Sequence, residues 1–217
     1  MEKILIVGAT GSTGKRIIEI LSNSQSFEPV AMIRKEEQKT IFEDMEMKWV
    51  LGDLEQDDLS PVLKGIDKVI FVAGSGGKTG PDKTTAVDEE GAIKIIDAST
   101  KAKVKKFIML SAMNADEPSS HPKLEHYLKA KAEADKYLRE SGLSYTIVRP
   151  GALTDDMGLG KVEIAPKLDH TGEISRDDVA FLLIMSLADP LVQNMTFEAV
   201  EGEESIKSAM INLSQGK

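Results

Sequence analysis

Cysteine is absent from the 217-residue chain, which excludes disulfides and thiolate chemistry and makes a cytoplasmic setting the simplest expectation. Histidine is scarce, and His121, His126 and His170 lack the spacing of a metal centre, so no metal site is expected. No apolar run approaches the ~20 residues of a membrane span. The opening residues carry no cationic leader or cleavage region, so they read as a first core strand. An excess of basic charge is also missing: 27 Lys and Arg stand against 36 Asp and Glu, a net charge of −9. That balance argues against broad nucleic-acid or anionic-membrane binding and leaves a local basic pocket open. There are no repeats, low-complexity tracts or convincing linkers. What remains is 41% hydrophobic, enough for one domain with a substantial core and too much for a disordered chain.

Short β-branched runs alternate with longer amphipathic stretches, the pattern of a parallel α/β sheet. Strands are predicted at 3–8, 29–33, 48–51, 68–73, 106–111 and 144–149, with a weaker one at 196–200. Ile4-Leu5-Ile6-Val7, Val69-Ile70-Phe71-Val72 and Phe107-Ile108-Met109-Leu110 are continuously apolar, which suits strands buried on both faces. Helices are predicted at 13–22, 35–44, 84–101, 124–141 and 176–187. The expected fold is an α/β doubly wound Rossmann domain of about seven mainly parallel strands, in the order 3-2-1-4-5-6-7, with helices on both faces. The whole chain, 1–217, forms that domain, and the stretches at about 151–175 and 190–217 form a small substrate-side region. Residues 74–83, 112–123 and 151–174 lack helical periodicity and follow strands, where ligands bind in such sheets.

Gly8-Ala9-Thr10-Gly11-Ser12-Thr13-Gly14 stands between the first strand and the first helix. Gly8 suits a tight exit from the strand. Gly11 lets backbone approach a pyrophosphate, and Gly14 lets helix and strand pack closely. Thr10, Ser12 and Thr13 add hydroxyls, and a helix N-terminus offers free N–H groups to an anion. This is the arrangement of a dinucleotide loop.

The end of the second strand discriminates between dinucleotides. An Asp or Glu there serves the ribose hydroxyls of NAD, whereas this chain has Arg34-Lys35. Two cations suit the 2′-phosphate of NADP, the expected cofactor, with NAD the less favoured. The competing reading is a solvated strand end paired with Glu36 or Glu37. After the third strand, Asp53 and Leu54 are placed to contact adenine, with a helix N-cap as the other role for Asp53. Gly74, Gly77 and Gly80 repeat the glycine spacing, and Gly77-Lys78-Thr79 imitates the end of a P-loop. The required earlier glycine is Val72, so that segment reads as a loop beside the cofactor, placed to act as a lid.

Together with Gly52-Asp53-Leu54, Phe71-Val72-Ala73-Gly74, Tyr127-Leu128-Lys129-Ala130-Lys131, Tyr145-Thr146-Ile147-Val148-Arg149-Pro150-Gly151 and Ser175-Arg176-Asp177-Asp178-Val179-Ala180, the glycine turn resembles the short-chain dehydrogenase/reductase superfamily, in its atypical branch. The resemblance covers nearly the whole chain. It is nearest to NAD(P)-binding proteins of the NAD-dependent epimerase/dehydratase group, and more distant to biliverdin/flavin reductases and NmrA-like regulators.

The resemblance implies Tyr127 as general acid/base and Lys131 on the nicotinamide ribose, four residues apart on one helix face. It implies a third residue, Ser111, that orients substrate or only lines the cofactor; the adjacent position, where relatives often carry the hydroxyl, is Ala112. Ala73, Gly74, Pro150, Gly151 and Leu153 are implied to border the cofactor, and Arg149 to be a structural ion-pair partner. Capping and packing are the expected roles of 175–178, and Met113 and Met157 lie in pocket-side loops.

The expected activity is hydride transfer to or from a small carbonyl, quinone or flavin-like substrate. A sugar epimerase or dehydratase, or a non-catalytic NADP(H) redox sensor, are the alternatives. A small-molecule substrate is the expected partner, with the chain a monomer or homodimer.

Overall fold

Apolar runs too short for helices build the sheet, and the amphipathic stretches between them cover it. The computed structural model describes every residue except Asp57, Gly77, Lys78, Asp189 and Lys217. In chain order the first half holds β1 (Glu2–Val7), α1 (Ser12–Ser22), β2 (Phe27–Ile33), α2 (Lys39–Glu43), β3 (Lys48–Leu51), β4 (Lys68–Phe71), α3 (Pro81–Thr84) and α4 (Gly91–Lys101). The second half holds β5 (Lys106–Leu110), α5 (Glu125–Glu140), β6 (Tyr145–Pro150), β7 (Ala152–Thr154), β8 (Lys161–Ala165), β9 (Glu173–Ser175), α6 (Arg176–Ala188), β10 (Met195–Glu201), β11 (Glu204–Ser205) and α7 (Ile206–Ser214). Among the described residues no helix is long and apolar enough to cross a membrane.

The main sheet has nine strands in the order β11-β8-β10-β6-β5-β4-β1-β2-β3. Seven of them, from β3 to β10, are mutually parallel and follow the predicted 3-2-1-4-5-6-7 order. The chain is thus a single Rossmann-like α/β domain. Alternate side chains of each strand enter opposite layers. Ile4, Ile6, Ile70 and Ile108 pack with Ile17 of α1 and Leu183 of α6, while Leu5, Val7, Val69, Phe71 and Phe107 meet Ile95 of α4 and Leu138 of α5. Each such fully buried side chain contributes about 1.5–3 kcal/mol of transfer free energy.

The structure departs from the sequence pattern in three places. Residues 35–44 form a short 3-10 turn, Glu36–Gln38, followed by the five-residue α2, in place of one helix. Beyond the seven parallel strands, β8 joins β10 antiparallel and β11 joins β8, while β7 and β9 form a separate pair. The stretch 190–217 supplies, besides the predicted last strand β10, a further helix α7, whose Ile206, Ala209, Met210 and Leu213 are buried in the core.

β1 lies between β2 and β4, which leave it on opposite sides. The strand order reverses there, opening a crevice at the carboxyl ends of β1 and β4. Gly8 turns the chain at that point with φ +95°, and a Cβ on it would lie 2.6 Å from the Ala73 nitrogen just after β4. Only glycine fits both the conformation and the approach. α3 runs through a π-helical turn, Thr85–Glu90, into α4. That turn aims the Asp88 side chain inward, a distortion often found at functional sites.

Candidate active site

Two adjoining cavities occupy the crevice. The first, about 410 Å³, is lined by Gly8, Thr10, Gly11, Arg34, Asp53, Leu54, Ala73 and Gly74, together with Met32, Gln38, Thr79 and Lys83. The second, about 480 Å³, is lined by Gly11, Ser12, Thr13, Ala73, Gly74, Ser111, Tyr127, Lys131 and Leu153, together with Ser75, Asp88, Leu124 and Arg176. Gly11, at the N-terminus of α1, borders both, and Lys15 N–H bonds back to its carbonyl at 2.9 Å. The N–H groups of the first turn lack intrahelical acceptors and are free to donate to an anion. A Cβ on Gly14 would sit 2.2 Å from the Gly8 carbonyl oxygen, so Gly14 lets α1 approach β1 and borders neither cavity. This cradle fits a dinucleotide: an open glycine turn, a free helix N-terminus, and cavities on either side of it.

In the first cavity, Arg34 and Lys35 donate their backbone N–H groups to Gln38 Oε1, both at 2.9 Å, which shapes the exit from β2. Arg34 faces the cavity and Lys35 does not; the 3-10 turn that replaces the predicted helix turns its side chain outward. Asp53 accepts the Glu55 N–H at 3.0 Å, so its carboxylate both borders the cavity and fixes the turn after β3.

In the second cavity, Tyr127 and Lys131 share the inward face of α5, the Lys131 ammonium 5.6 Å from the Tyr127 ring centre. Lys131 is buried, 3.0 Å from Asp88 Oδ1 and 3.5 Å from the Leu110 carbonyl oxygen. Asp88 Oδ2 accepts the Ser75 N–H at 2.9 Å, while Oδ1 has the lysine and no well-directed hydrogen bond. Burial opposes the ammonium, yet the fields of Tyr127 and Asp88 outweigh it and hold Lys131 above the ordinary lysine value. The phenolic hydroxyl of Tyr127 has no hydrogen-bond partner among the described residues.

Of the two roles expected for Ser111, its place in the structure suits the lining one. It borders the cavity, but its hydroxyl donates to Asp135 Oδ2 at 2.8 Å, because α5 brings that buried carboxylate behind β5. Burial raises the Asp135 carboxyl, with Arg149 opposing the shift. Arg149 Nε donates to Asp135 at 2.9 Å and its other nitrogens to Asp116, the ion pairing expected of it. Pro150 and Gly151 also lie off both cavities. The Pro150 carbonyl accepts from Met113 N–H at 3.0 Å, and Gly151 is pressed against the Gly172 carbonyl. Met113 is buried and Met157 is exposed, and neither lines either of these two cavities.

His126 Nε2 meets Thr85 Oγ1 and the Pro81 carbonyl on the surface. Ser175 caps α6 by accepting from Asp178 N–H at 3.0 Å. Of the second glycine triplet, Gly77 and Lys78 lie outside the described residues. Among the described residues no group of three or more His, Asp or Glu is arranged to hold a metal ion.

The sequence reading missed Asp88, Asp135, Lys83, Gln38 and Arg176. For two of these a signal was present. Asp88 falls on the apolar stripe of the predicted helix with Ala92, Ile95, Ile96 and Ser99, and Asp135 on that of α5 with Ala134 and Leu138. A carboxylate on a buried face needs a partner.

The family model for NAD(P)H-binding proteins matches residues 8–190. A Bacillus subtilis relative, named as uncharacterized sugar epimerase YhfK, is 42% identical over 97% of this chain and 100% of its own length. A Bacillus halodurans structure, provisionally described as an NAD-dependent epimerase/dehydratase, is 39% identical with a TM-score of 0.92, covering 98% of this chain and 100% of that one. The structure of the oxidoreductase ylbE of Lactococcus lactis is 31% identical with a TM-score of 0.86, covering 98% and 97%.

Proposed function

The chain belongs to the NAD(P)H-binding family of Rossmann-fold oxidoreductases and epimerase/dehydratases, and from that premise we propose that it is an NADP(H)-dependent oxidoreductase acting on a small carbonyl, quinone or flavin-like substrate. The observation that carries the reading is the buried Asp88–Lys131 pair behind Tyr127, on the wall of the cavity that adjoins the glycine turn. Gly8, Thr10, Gly11, Ser12 and Thr13 would hold the pyrophosphate, with Asp53 and Leu54 at adenine and Arg34 at the 2′-phosphate. Lys131, Gly74 and Leu153 would border the nicotinamide end. When bound, the nicotinamide supplies or accepts the hydride.

Tyr127 gives a proton to the substrate's carbonyl oxygen in reduction and takes one from a hydroxyl in oxidation. Its unpartnered hydroxyl leaves that position free for a substrate oxygen. The Lys131 ammonium, fixed by Asp88, stabilises the phenolate through its charge. Leu110, Leu124 and Leu153 give the cavity an apolar wall that limits water. Ser111, committed to Asp135, anchors the floor and takes no part in the proton transfer. The setting is cytoplasmic, and the part of the chain between β6 and α6 forms the substrate side.

The name of the Bacillus subtilis relative favours a second reading, a sugar epimerase, in which the cofactor returns unchanged each turnover. The size of the second cavity favours the first reading. About 480 Å³ must take the reactive end of the cofactor as well as the substrate, leaving little room for a nucleotide sugar. A screen of carbonyl, quinone and flavin substrates for NADPH consumption, with Tyr127→Phe in parallel, separates the two. The expected loss of turnover in Tyr127→Phe is roughly 10²–10⁴-fold with NADPH binding unchanged. Undiminished turnover in Tyr127→Phe overturns the acid/base assignment, and turnover without net consumption favours the epimerase.

A further inference from the structure

We infer that Lys83 is the second cation of the 2′-phosphate site, held ready by Glu55, which the phosphate displaces. The inference rests on the NADP reading above and names a specificity determinant that the glycine turn and the β2 terminus do not supply.

Lys83 lies on α3, 49 positions beyond Arg34, yet both line the first cavity. Glu55, in the turn after β3, stands between them. Its carboxylate accepts from Lys83 Nζ at 2.6 and 2.8 Å and lies 3.8 Å from Arg34 Nη1. Both cations line the cavity and Glu55 does not. Lys35, which the sequence suggests as Arg34's companion, is exposed and borders neither cavity.

Charge balance favours the exchange of Glu55 for the phosphate. A 2′-phosphate near neutral pH carries close to two negative charges, and Arg34 with Lys83 carries two positive ones. While Glu55 keeps its bonds, one of those charges is already spent and the carboxylate repels the phosphate. A cation pair released from Glu55 matches the dianion. NAD carries a hydroxyl at that position and cannot make this exchange, so Glu55 stays on Lys83. The pair is exposed, with half of each cationic side chain open to water, so the carboxylate holds it weakly enough to be displaced.

The placement of Lys83 also ties phosphate recognition to the rest of the site. α3 follows the loop carrying Gly74 and Ser75 and leads directly into the π-helical turn carrying Asp88. Ser75 Oγ meets Thr84 Oγ1 at 3.2 Å, and Ser75 N–H bonds Asp88. A phosphate that engages Lys83 thereby holds the segment that walls both cavities.

The test is calorimetric titration of wild type, Lys83→Ala and Glu55→Gln with NADP and NAD at two ionic strengths. Lys83→Ala is expected to weaken NADP binding roughly tenfold with NAD binding unchanged. Glu55→Gln is expected to tighten NADP binding about two- to fivefold, again sparing NAD, with the gain shrinking at high salt. NAD affinity serves as the internal check that each variant is folded. A wild type with no preference for NADP overturns this inference together with the NADP reading. A wild-type preference that survives in Lys83→Ala, or a Glu55→Gln chain that binds NADP no tighter, overturns this inference alone.

Discussion

On the side of the cleft proposed for adenine, the side chains of Arg34 and Lys83 are 54% and 52% exposed and share Glu55, whereas on the side proposed for nicotinamide Lys131 and Asp88 are 4% and 1% exposed and face each other. The first set sits in water, where each pair is worth little and exchanges readily. The second is a buried pair whose members cannot leave without stranding a charge. The contrast suits the proposed function, in which the first side would release and rebind a ligand phosphate and the second would hold one charge beside Tyr127. Both rest on the glycine turn, whose backbone leaves no room for adjustment.

The contrast breaks most sharply at Asp88. Asp88→Ala leaves the Lys131 ammonium buried without its carboxylate and is expected to cost about 3–5 kcal/mol of stability. Asp88→Asn keeps an acceptor for Ser75 and costs less, so denaturant titration of the two variants separates charge from hydrogen bonding. Equal small losses in both would mean that Lys131 is neutral or solvated. At the shared turn, Gly14→Ala forces a Cβ toward the Gly8 carbonyl and is expected to cost about 1–3 kcal/mol while weakening NADP and NAD alike. Thermal melts with and without dinucleotide measure both effects.

Arg34→Ala sharpens the comparison from the exposed side. It should leave the melting temperature of the free protein nearly unchanged and weaken NADP much more than NAD, whereas equal losses for the two contradict the 2′-phosphate assignment. The smallest effect is expected at the far end of the Arg149 chain. Arg149 holds Asp116 below the usual aspartate value, so the pair's stabilisation is present above the unfolded pKa. It is lost as pH falls from about 4 through the lowered folded value. Asp116→Asn should flatten that acid limb of the stability–pH curve and leave the neutral region alone, where an unchanged acid limb would contradict the pairing.

The two regions also differ in how far the sequence exposes them. The glycine turn was legible because everything it needs is local: a strand, three glycines and a helix start within fourteen residues. The central parallel strands β1, β4 and β5 were legible for the same reason, each holding a continuous apolar run. The second cavity draws Ser75, Asp88, Leu110 and the α5 pair Tyr127 and Lys131 from four separate segments, and no local pattern pairs a carboxylate with a lysine 43 positions away. Asp88 was visible only as an acid on the apolar face of a helix. The π-helical turn that aims it inward leaves no trace in residue type.

Ser111 was legible as a residue at the cavity, after β5, but its bond to Asp135 was not, because that interaction is set by the packing of α5. β8 was missed although Lys161-Val162-Glu163-Ile164 alternates polar and apolar residues. The segment is short and pairs antiparallel at the sheet's margin, away from the buried runs that reveal the rest. α7 likewise carried helical spacing at Ile206, Ala209, Met210 and Leu213, with Ser205 capping it by accepting from Ser208 N–H at 3.2 Å.

The central claim, that this cleft holds a phosphorylated dinucleotide, meets its most direct test in calorimetric titration of the wild-type chain with NADP, NADPH, NAD and NADH, after any cofactor carried through purification has been removed. Saturable binding at one site per chain is expected, with the phosphorylated pair bound more tightly than NAD and NADH. No binding of any of the four, or an equal affinity for all, would contradict it.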